Sequence, residues 1–321
     1  SSIISNMTLC AAVVPTIAFP AINLLATYDL SFKILGWLAA VAALYMAVLA
    51  KRDWRIMTIA AHPSLVLLFY LIAQRLAIPL EFMSVVALVV FAVFYGLAIA
   101  ARTRKMLSLW YYPSFYSAIG WSVVLLSIAT SVSATVASVI LAALVWVING
   151  IALMLEGVPK KSILHFDSGV LLILCGVLFT IKNLALPVHA ITIPYLWSAA
   201  ILSGAVMSWR WLGYIHKSTI IHLVLALSAL SLPTLILAFA GDSVMEILFL
   251  IEHSLMVVMG LVLNKRLITV WGAVCVTLAL IYLLSGYTYV LAILAGISII
   301  VAVIIVVARA QRNKRQDIAK R

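Results

Sequence analysis

Long, continuous apolar stretches separated by short basic segments run along the whole chain. Each stretch is close to the ~20 residues that a helix needs to cross about 30 Å of hydrocarbon. None shows the residue-by-residue alternation of a membrane β-strand. The pattern therefore predicts an all-α fold, a polytopic bundle of about twelve transmembrane helices at 8–28, 32–50, 56–73, 82–101, 107–130, 134–156, 163–181, 188–208, 219–240, 244–263, 267–284 and 288–308.

The composition agrees with a membrane location. The chain has 321 residues, of which 66% are hydrophobic and 9% are charged. Soluble domains carry about 25% charged residues, so this chain lacks the polar side chains needed to cover a water-facing surface. The loops between spans are too short to form a soluble domain. We therefore expect one transmembrane domain over 1–321, ending in a basic tail at 309–321.

Basic residues gather in every second loop, which predicts the orientation. Opposite this set lie only Lys33, Arg75 and Lys182. The side richer in Lys and Arg faces the cytoplasm, so the chain is predicted to form six hairpins with both termini inside. The cytoplasmic set comprises Lys51, Arg52, Arg55, Arg102, Arg104, Lys105, Lys160, Lys161, Arg210, Lys217, Lys265, Arg266, Arg309, Arg312, Lys314, Arg315, Lys320 and Arg321.

The formal net charge of +12 is explained by this distribution. Because the basic residues stand in short clusters between spans, they indicate topology and contact with anionic lipids rather than a nucleic-acid partner.

Two ionisable residues, Glu252 and His253, stand side by side near the middle of an apolar span. Such groups are costly at bilayer depth and are candidate functional residues. Glu246, His253 and Gly260 are spaced by seven and share one helix face, on which Asn264 is also predicted to lie. In the functional interpretation, Glu252, His253 and Glu246 exchange protons or bind a substrate or ion. In the structural interpretation, the pair forms hydrogen bonds between helices.

A second candidate site lies nearer the cytoplasmic ends of three other spans. His165 and Asp167 belong to the segment ILHFDSG, His222 lies at a similar depth, and His62 precedes Pro63. We predict that these four side chains line a cytoplasmic vestibule. The alternative is that they reach to the interface individually, as long polar side chains do near helix ends.

The sequence contains no motif typical of an enzyme. Cys10, Cys175 and Cys275 are far apart and lack metal-ligand spacing. H-E-x-x-H, P-loop and Rossmann motifs and a G-x-S-x-G elbow are missing, so we expect no cofactor, no metal and no enzymatic activity. No basic region precedes the first span, so no cleavable signal peptide is expected. Since the sequence opens with Ser1, we expect a fragment of a longer protein or a trimmed form.

Three stretches carry a resemblance to a known group: NGIALMLEGVPKKS, FLIEHSLMVVMGLVLNKRLITVWGAV and LIYLLSGYTYVLAILAGISIIVAVI. They resemble uncharacterised bacterial multispanning inner-membrane proteins, in which an apolar E-H span precedes a short basic turn and a final helix pair. The resemblance covers mainly the last 80 residues. It implies a bacterial cytoplasmic membrane and no particular activity.

Two functional hypotheses follow. The first is a transporter or flippase-like carrier of a small or lipidic substrate, centred on Glu252 and His253. The second is a non-catalytic membrane scaffold, or the membrane part of a larger cell-envelope assembly with other membrane proteins as partners. Charges at the midplane and prolines within spans favour the carrier. The scarcity of polar groups along most spans favours the scaffold.

Cysteine labelling tests the predicted orientation. A cysteine introduced at Arg104 or Lys161 is expected to react only with reagent added from the cytoplasmic side, and one at Asp242 only from outside. Labelling of the Asp242 and Lys161 positions from the same side would rule out the twelve-span topology.

Overall fold

The computed structural model describes residues 29–50, 55–103, 110–132, 135–283 and 297–298, without the side chains of 46–50 and 55–60. In these residues no β-strand occurs, and the all-α prediction is confirmed. A short 3-10 turn (Leu80–Phe82) precedes the third of ten long helices. The helices are α1 (Leu30–Ala50), α2 (Arg55–Arg75), α3 (Met83–Thr103), α4 (Tyr112–Thr130), α5 (Val136–Lys160), α6 (Ile163–Asn183), α7 (Thr192–Leu212), α8 (Lys217–Phe239), α9 (Ser243–Val262) and α10 (Arg266–Leu283).

Seven helices of the described part are long and apolar enough to cross a membrane: Leu80–Thr103, Tyr112–Thr130, Val136–Lys160, Ile163–Asn183, Lys217–Phe239, Ser243–Val262 and Arg266–Leu283. The chain is therefore a helical integral membrane protein. The predicted span at 8–28 and most of the span at 288–308 lie outside the described residues, as does the tail at 309–321. Twelve spans and the orientation accordingly stay predictions.

The predicted boundaries agree with the helices to within a few residues, and α7 is shifted toward the C-terminus at both ends. It begins at Thr192 rather than near 188. The segment before it is a turn that contains Ala185 in the left-handed conformation (φ 47°) and Pro187. Pro194 then falls in the first helical turn, where a missing N–H breaks no helical hydrogen bond.

The described helices belong to two compact units. The first unit contains α1 to α6 and the end of α7 from Met207, and the second contains α7 up to Val206 and α8 to α10. Apolar side chains fill each unit. Large and almost fully buried examples are Phe94, Phe115 and Met83 in the first unit and Phe249 in the second.

Helices α5 and α6 form a hairpin that is packed backbone against backbone. A Cβ added to Gly150 would lie 2.5 Å from the carbonyl oxygen of Gly169, and one added to Gly169 would lie 2.5 Å from that of Gly150. One added to Gly157 would lie 3.0 Å from the amide nitrogen of Phe166. Small residues allow this close approach, which drives helix association in lipid through van der Waals contact.

The α9–α10 hairpin repeats two of these contacts at an offset of 103 residues. A Cβ on Gly272, the counterpart of Gly169, would lie 2.8 Å from the carbonyl oxygen of His253, the counterpart of Gly150. Likewise, a Cβ on Gly260 would overlap the amide nitrogen of Thr269, the counterpart of Phe166, which a Cβ on Gly157 would approach closely. The two hairpins are therefore a structural repeat.

The turns of the two hairpins match at the same offset. Lys161 and Asn264 both adopt the left-handed conformation, with φ of 50° and 53°. The next residue then donates its N–H to a glycine carbonyl, from Ser162 to Gly157 at 3.0 Å and from Lys265 to Gly260 at 2.8 Å. This pattern is the Schellman motif that ends many helices.

One sequence-based prediction is wrong at this turn. Asn264 was expected on the helix face shared by His253 and Gly260, but α9 ends at Val262. Asn264 is exposed and serves as the left-handed residue of the turn.

The glycine contacts predict a selective loss of stability. Gly169→Ala and Gly272→Ala are each expected to destabilise the protein by about 1–3 kcal/mol, because the helices must move apart. Gly96→Ala and Gly120→Ala are matched controls, since a Cβ at either position meets no atom within 4 Å. The measurement is the melting temperature in detergent. Equal melting of Gly169→Ala and Gly96→Ala would contradict the close packing.

Candidate functional site

Glu252 is the tenth of the twenty residues of α9, so it lies at the middle of a membrane-spanning helix. Its Oε2 accepts hydrogen bonds from the Tyr195 hydroxyl on α7 at 3.1 Å and from the Thr234 hydroxyl on α8 at 3.2 Å. Its Oε1 is buried, and no described residue donates to it. The carboxyl group therefore has one satisfied oxygen and one that is open to a further partner.

His253 is completely buried and makes two hydrogen bonds of 2.7 Å. Nδ1 faces the carbonyl oxygen of Phe249, which can only accept, so Nδ1 carries a hydrogen. Nε2 faces the hydroxyl of Ser231 on α8. In a neutral imidazole, Nε2 would accept the Ser231 hydrogen.

The side chains bonded around the pair form a polar cluster of Glu252, His253, Tyr195, Ser231, Thr234 and Trp271. Ser231 connects three helices within it. Its hydroxyl oxygen lies 2.7 Å from the carbonyl oxygen of Leu227, and it accepts the indole N–H of Trp271 on α10 at 3.0 Å. If His253 gains a proton, Nε2 donates to Ser231 and the hydroxyl hydrogen can turn to Leu227. The cluster can thus hold His253 with or without the extra proton and keep Nε2 hydrogen-bonded in both states.

The neighbouring positions of Glu252 and His253 allow both to reach α8. Consecutive helical residues point about 100° apart. Ser231 and Thr234 lie almost one turn apart on α8. His253 therefore contacts Ser231, and Glu252 contacts Thr234. His253 and Gly260 face the interior of the second unit, as the spacing predicts.

Glu246 lies in the first turn of α9 and is partly buried. An acidic side chain at this position is favoured by the helix dipole. Its assignment to the site with Glu252 and His253 stays a prediction.

Four residues of this cluster were not identified from the sequence: Tyr195, Ser231, Thr234 and Trp271. Ser and Thr in apolar helices commonly bond their own helix carbonyls, so their spacing alone carries little signal. The presence of Ser231 and Thr234 on either side of Pro233 was the available clue.

In the first unit, His62 and His165 each have both ring nitrogens hydrogen-bonded. His62 is buried between the Tyr45 hydroxyl at 3.1 Å and the Ser114 hydroxyl at 3.2 Å. His165 meets the Tyr116 hydroxyl at 2.8 Å and the Ser162 hydroxyl at 2.7 Å. Ser114 and Tyr116 are both in the first turns of α4, so one helix end bonds both histidines.

A groove of about 460 Å³ lies beside these two histidines, lined by Pro63, Pro113, Tyr116, Ser117, Gly120, Trp121 and Val124. Asp167 is partly buried on α6 in the same unit. His222 belongs to the second unit, where its Nδ1 lies 2.7 Å from the carbonyl oxygen of Ser218. The vestibule of all four residues stays a prediction.

Two further polar residues of the first unit lie on α5. Asn149 is fully buried, donates to the Ser122 hydroxyl at 2.9 Å, and leaves Oδ1 without a partner among the described residues. Glu156 forms an ion pair with Lys160 and accepts the Tyr111 hydroxyl. The Lys160 ammonium also lies 4.4 Å from the ring centroid of Tyr112, a cation–π contact.

Comparisons with known proteins add nothing to the class that the fold defines, which is a helical integral membrane protein. No family model, curated protein or solved structure matches the chain. Among the described residues, no group of three or more His, Cys, Asp and Glu side chains is placed to hold a metal ion.

Loss of the Ser231 hydroxyl tests this connection between helices. Ser231→Ala is expected to destabilise the protein by about 1–3 kcal/mol, because the buried Nε2 of His253 and the indole N–H of Trp271 lose their partner. Ser203→Ala is the control, since the hydroxyl of Ser203 donates to the carbonyl of Ala200 in its own helix at 2.7 Å and bonds no other described residue. Thermal melting in detergent measures both. Similar melting of the two variants would contradict the connection.

Proposed function

We propose that the chain is a membrane carrier of a small or lipidic substrate, with Glu252 and His253 in its binding site. The observation that carries the proposal is the buried Oε1 of Glu252, to which no described residue donates. An unpartnered buried carboxylate oxygen is costly. An ionised group there requires a cation or a donor, and a protonated one requires an acceptor. A substrate or ion that supplies this partner explains why the glutamate is kept at the middle of α9.

The neighbouring histidine favours a carrier coupled to protons. The Ser231 hydroxyl can turn between His253 and Leu227, so a proton can be added to His253 without leaving Nε2 unpaired. Ionisable groups within membrane helices commonly form such proton relays. The pair then has distinct roles, with Glu252 contacting the substrate or ion and His253 taking up the proton.

The repeated hairpin favours a carrier over a scaffold. Many transporters are built from structural repeats, and one class repeats in the same orientation. In the predicted topology, both hairpins turn on the cytoplasmic side, at Lys160–Lys161 and Lys265–Arg266. At the offset of 103 residues, Glu252 corresponds to Asn149, and both leave one buried oxygen without a described partner.

The remaining assignments are part of the same proposal. The chain forms twelve spans with both termini in the cytoplasm of a bacterial cell, and its basic face contacts anionic lipids. His62, His165 and Asp167 line a cytoplasmic vestibule beside the groove at α4 in the first unit, and His222 is a polar residue at a similar depth in the predicted topology. The alternative function is a membrane scaffold, for which the hydrogen bonds of Glu252 to Tyr195 and Thr234 would only join helices.

Substitution of Glu252 separates the two functions. In a carrier, Glu252→Gln is expected to abolish substrate binding and flux while changing stability by no more than about 0.6 kcal/mol per contact, because glutamine keeps the hydrogen bonds but not the charge. The measurements are the melting temperature in detergent across a panel of small cations and lipids, followed by uptake of each stabilising compound into liposomes. A ligand at about 100 times its Kd stabilises the folded state by about 2.7 kcal/mol.

Glu81→Gln is the matched control, because Glu81 lies in the 3-10 turn outside the cluster. Glu252→Leu adds a second comparison. If Glu252 is only structural, Glu252→Leu leaves the hydroxyls of Tyr195 and Thr234 without their acceptor and costs about 1–3 kcal/mol of stability. Loss of stability in both Glu252 variants, with no ligand and no flux in the wild type, would refute the carrier and favour the scaffold.

A further inference from the structure

A groove of about 660 Å³ runs between α8 and α10 in the second unit. Its walls are single faces of the two helices, since the lining residues recur at helical spacing. They are Ser228, Ser231, Leu232 and Leu235 on α8, and Arg266, Leu267, Val270, Trp271, Val274, Cys275 and Leu278 on α10. Most of this lining is aliphatic, so the groove matches hydrocarbon rather than water.

One end of the groove carries a positive charge. Arg266 is the first residue of α10, is exposed, and takes part in no ion pair with the described residues. Its neighbour Lys265 differs, because its ammonium lies 4.4 Å from the ring centroid of Tyr214. The guanidinium of Arg266 is thus the cation of the groove, and its planar fork suits a phosphate group.

The length of the groove fits one leaflet. From Arg266 to Leu278, α10 advances about 18 Å at 1.5 Å per residue. Half of the hydrocarbon core measures about 15 Å. A molecule with an anionic head at Arg266 would therefore place its acyl chain along Val270, Val274 and Leu278 within a single leaflet.

We propose that this groove binds an anionic phospholipid of the bilayer, with its phosphate on Arg266 and an acyl chain along α10. Basic pockets between transmembrane helices bind lipid head groups in this manner. The bound chain covers Ser231 and Trp271, the groove-side members of the His253 cluster, and shields their hydrogen bonds from water. The proposal goes beyond the carrier function and does not depend on it.

Lipid counting by native mass spectrometry tests the proposal. The full chain in detergent is mixed with equal amounts of phosphatidylglycerol and phosphatidylcholine that have the same acyl chains. The wild type is expected to retain phosphatidylglycerol about fivefold more than phosphatidylcholine, the effect of one basic residue near a charged head group. Arg266→Gln is expected to lower this ratio to about one, while Lys265→Gln leaves it unchanged, because Lys265 faces Tyr214.

A bulky side chain placed in the groove gives a second test of the proposal. Val274→Trp is expected to remove both bound lipids, and Leu280→Trp, on an exposed position of α10 outside the groove, is expected to keep them. Arg266→Gln decides the question if Val274→Trp does not fold. Equal retention of the two lipids by the wild type, or an equal effect of Lys265→Gln and Arg266→Gln, would overturn the proposal. The comparison depends on Arg266 and the groove-lining face of α10 alone, so a failed carrier function leaves this result unaffected.

Discussion

The cost of leaving a polar group without a hydrogen bond in hydrocarbon is the constraint on which the second unit depends. Water is not there to complete a hydrogen bond, so each buried polar atom must find a partner in the protein or be left at a cost. His253 meets this requirement at both ring nitrogens, through Phe249 and Ser231. Glu252 meets it at Oε2, through Tyr195 and Thr234, while its buried Oε1 has no donor among the described residues. The same bonds tie α7 and α8 to α9, so the costly residues also determine which helix faces meet.

Close packing and the polar cluster are parts of one arrangement. Lipid supplies no hydrophobic drive for helix association, so contact between backbones has to supply it. Gly272 lets α10 approach the carbonyl of His253, and the residue before it, Trp271, thereby reaches Ser231. A larger residue at position 272 would thus disturb the hydrogen bonds around His253 as well as the helix packing, although it touches none of the polar side chains.

The sequence predicted the all-α class and the approximate helix positions, because apolar length and basic turns depend only on local composition. It also placed His253 and Gly260 on an inward face. Partners such as Tyr195 and Thr234 could not be predicted, because they lie on other helices and the hydrophobic pattern does not show which helices are neighbours. The hairpin repeat was missed for a related reason. Residues 146–179 and 249–282 share only four identities, Ile148/Ile251, Gly157/Gly260, Leu164/Leu267 and Gly169/Gly272, and the repetition lies in contacts made by backbone atoms.

The repeat also shows where the two hairpins differ. The first carries Asn149 and Gly150 where the second carries Glu252 and His253. Because Gly169 and Gly272 each meet the carbonyl oxygen of the equivalent residue, Gly150 or His253, this packing contact forms without an ionisable pair in the first hairpin. Asn149 places a neutral amide at this position, whose Nδ2 donates to Ser122, and a neutral group costs less in hydrocarbon than a charged one. The second unit retains a carboxyl group and an imidazole instead. Since packing is achieved without them in the first hairpin, the added cost of Glu252 and His253 is the difference between equivalent positions from which the proposed carrier function is argued.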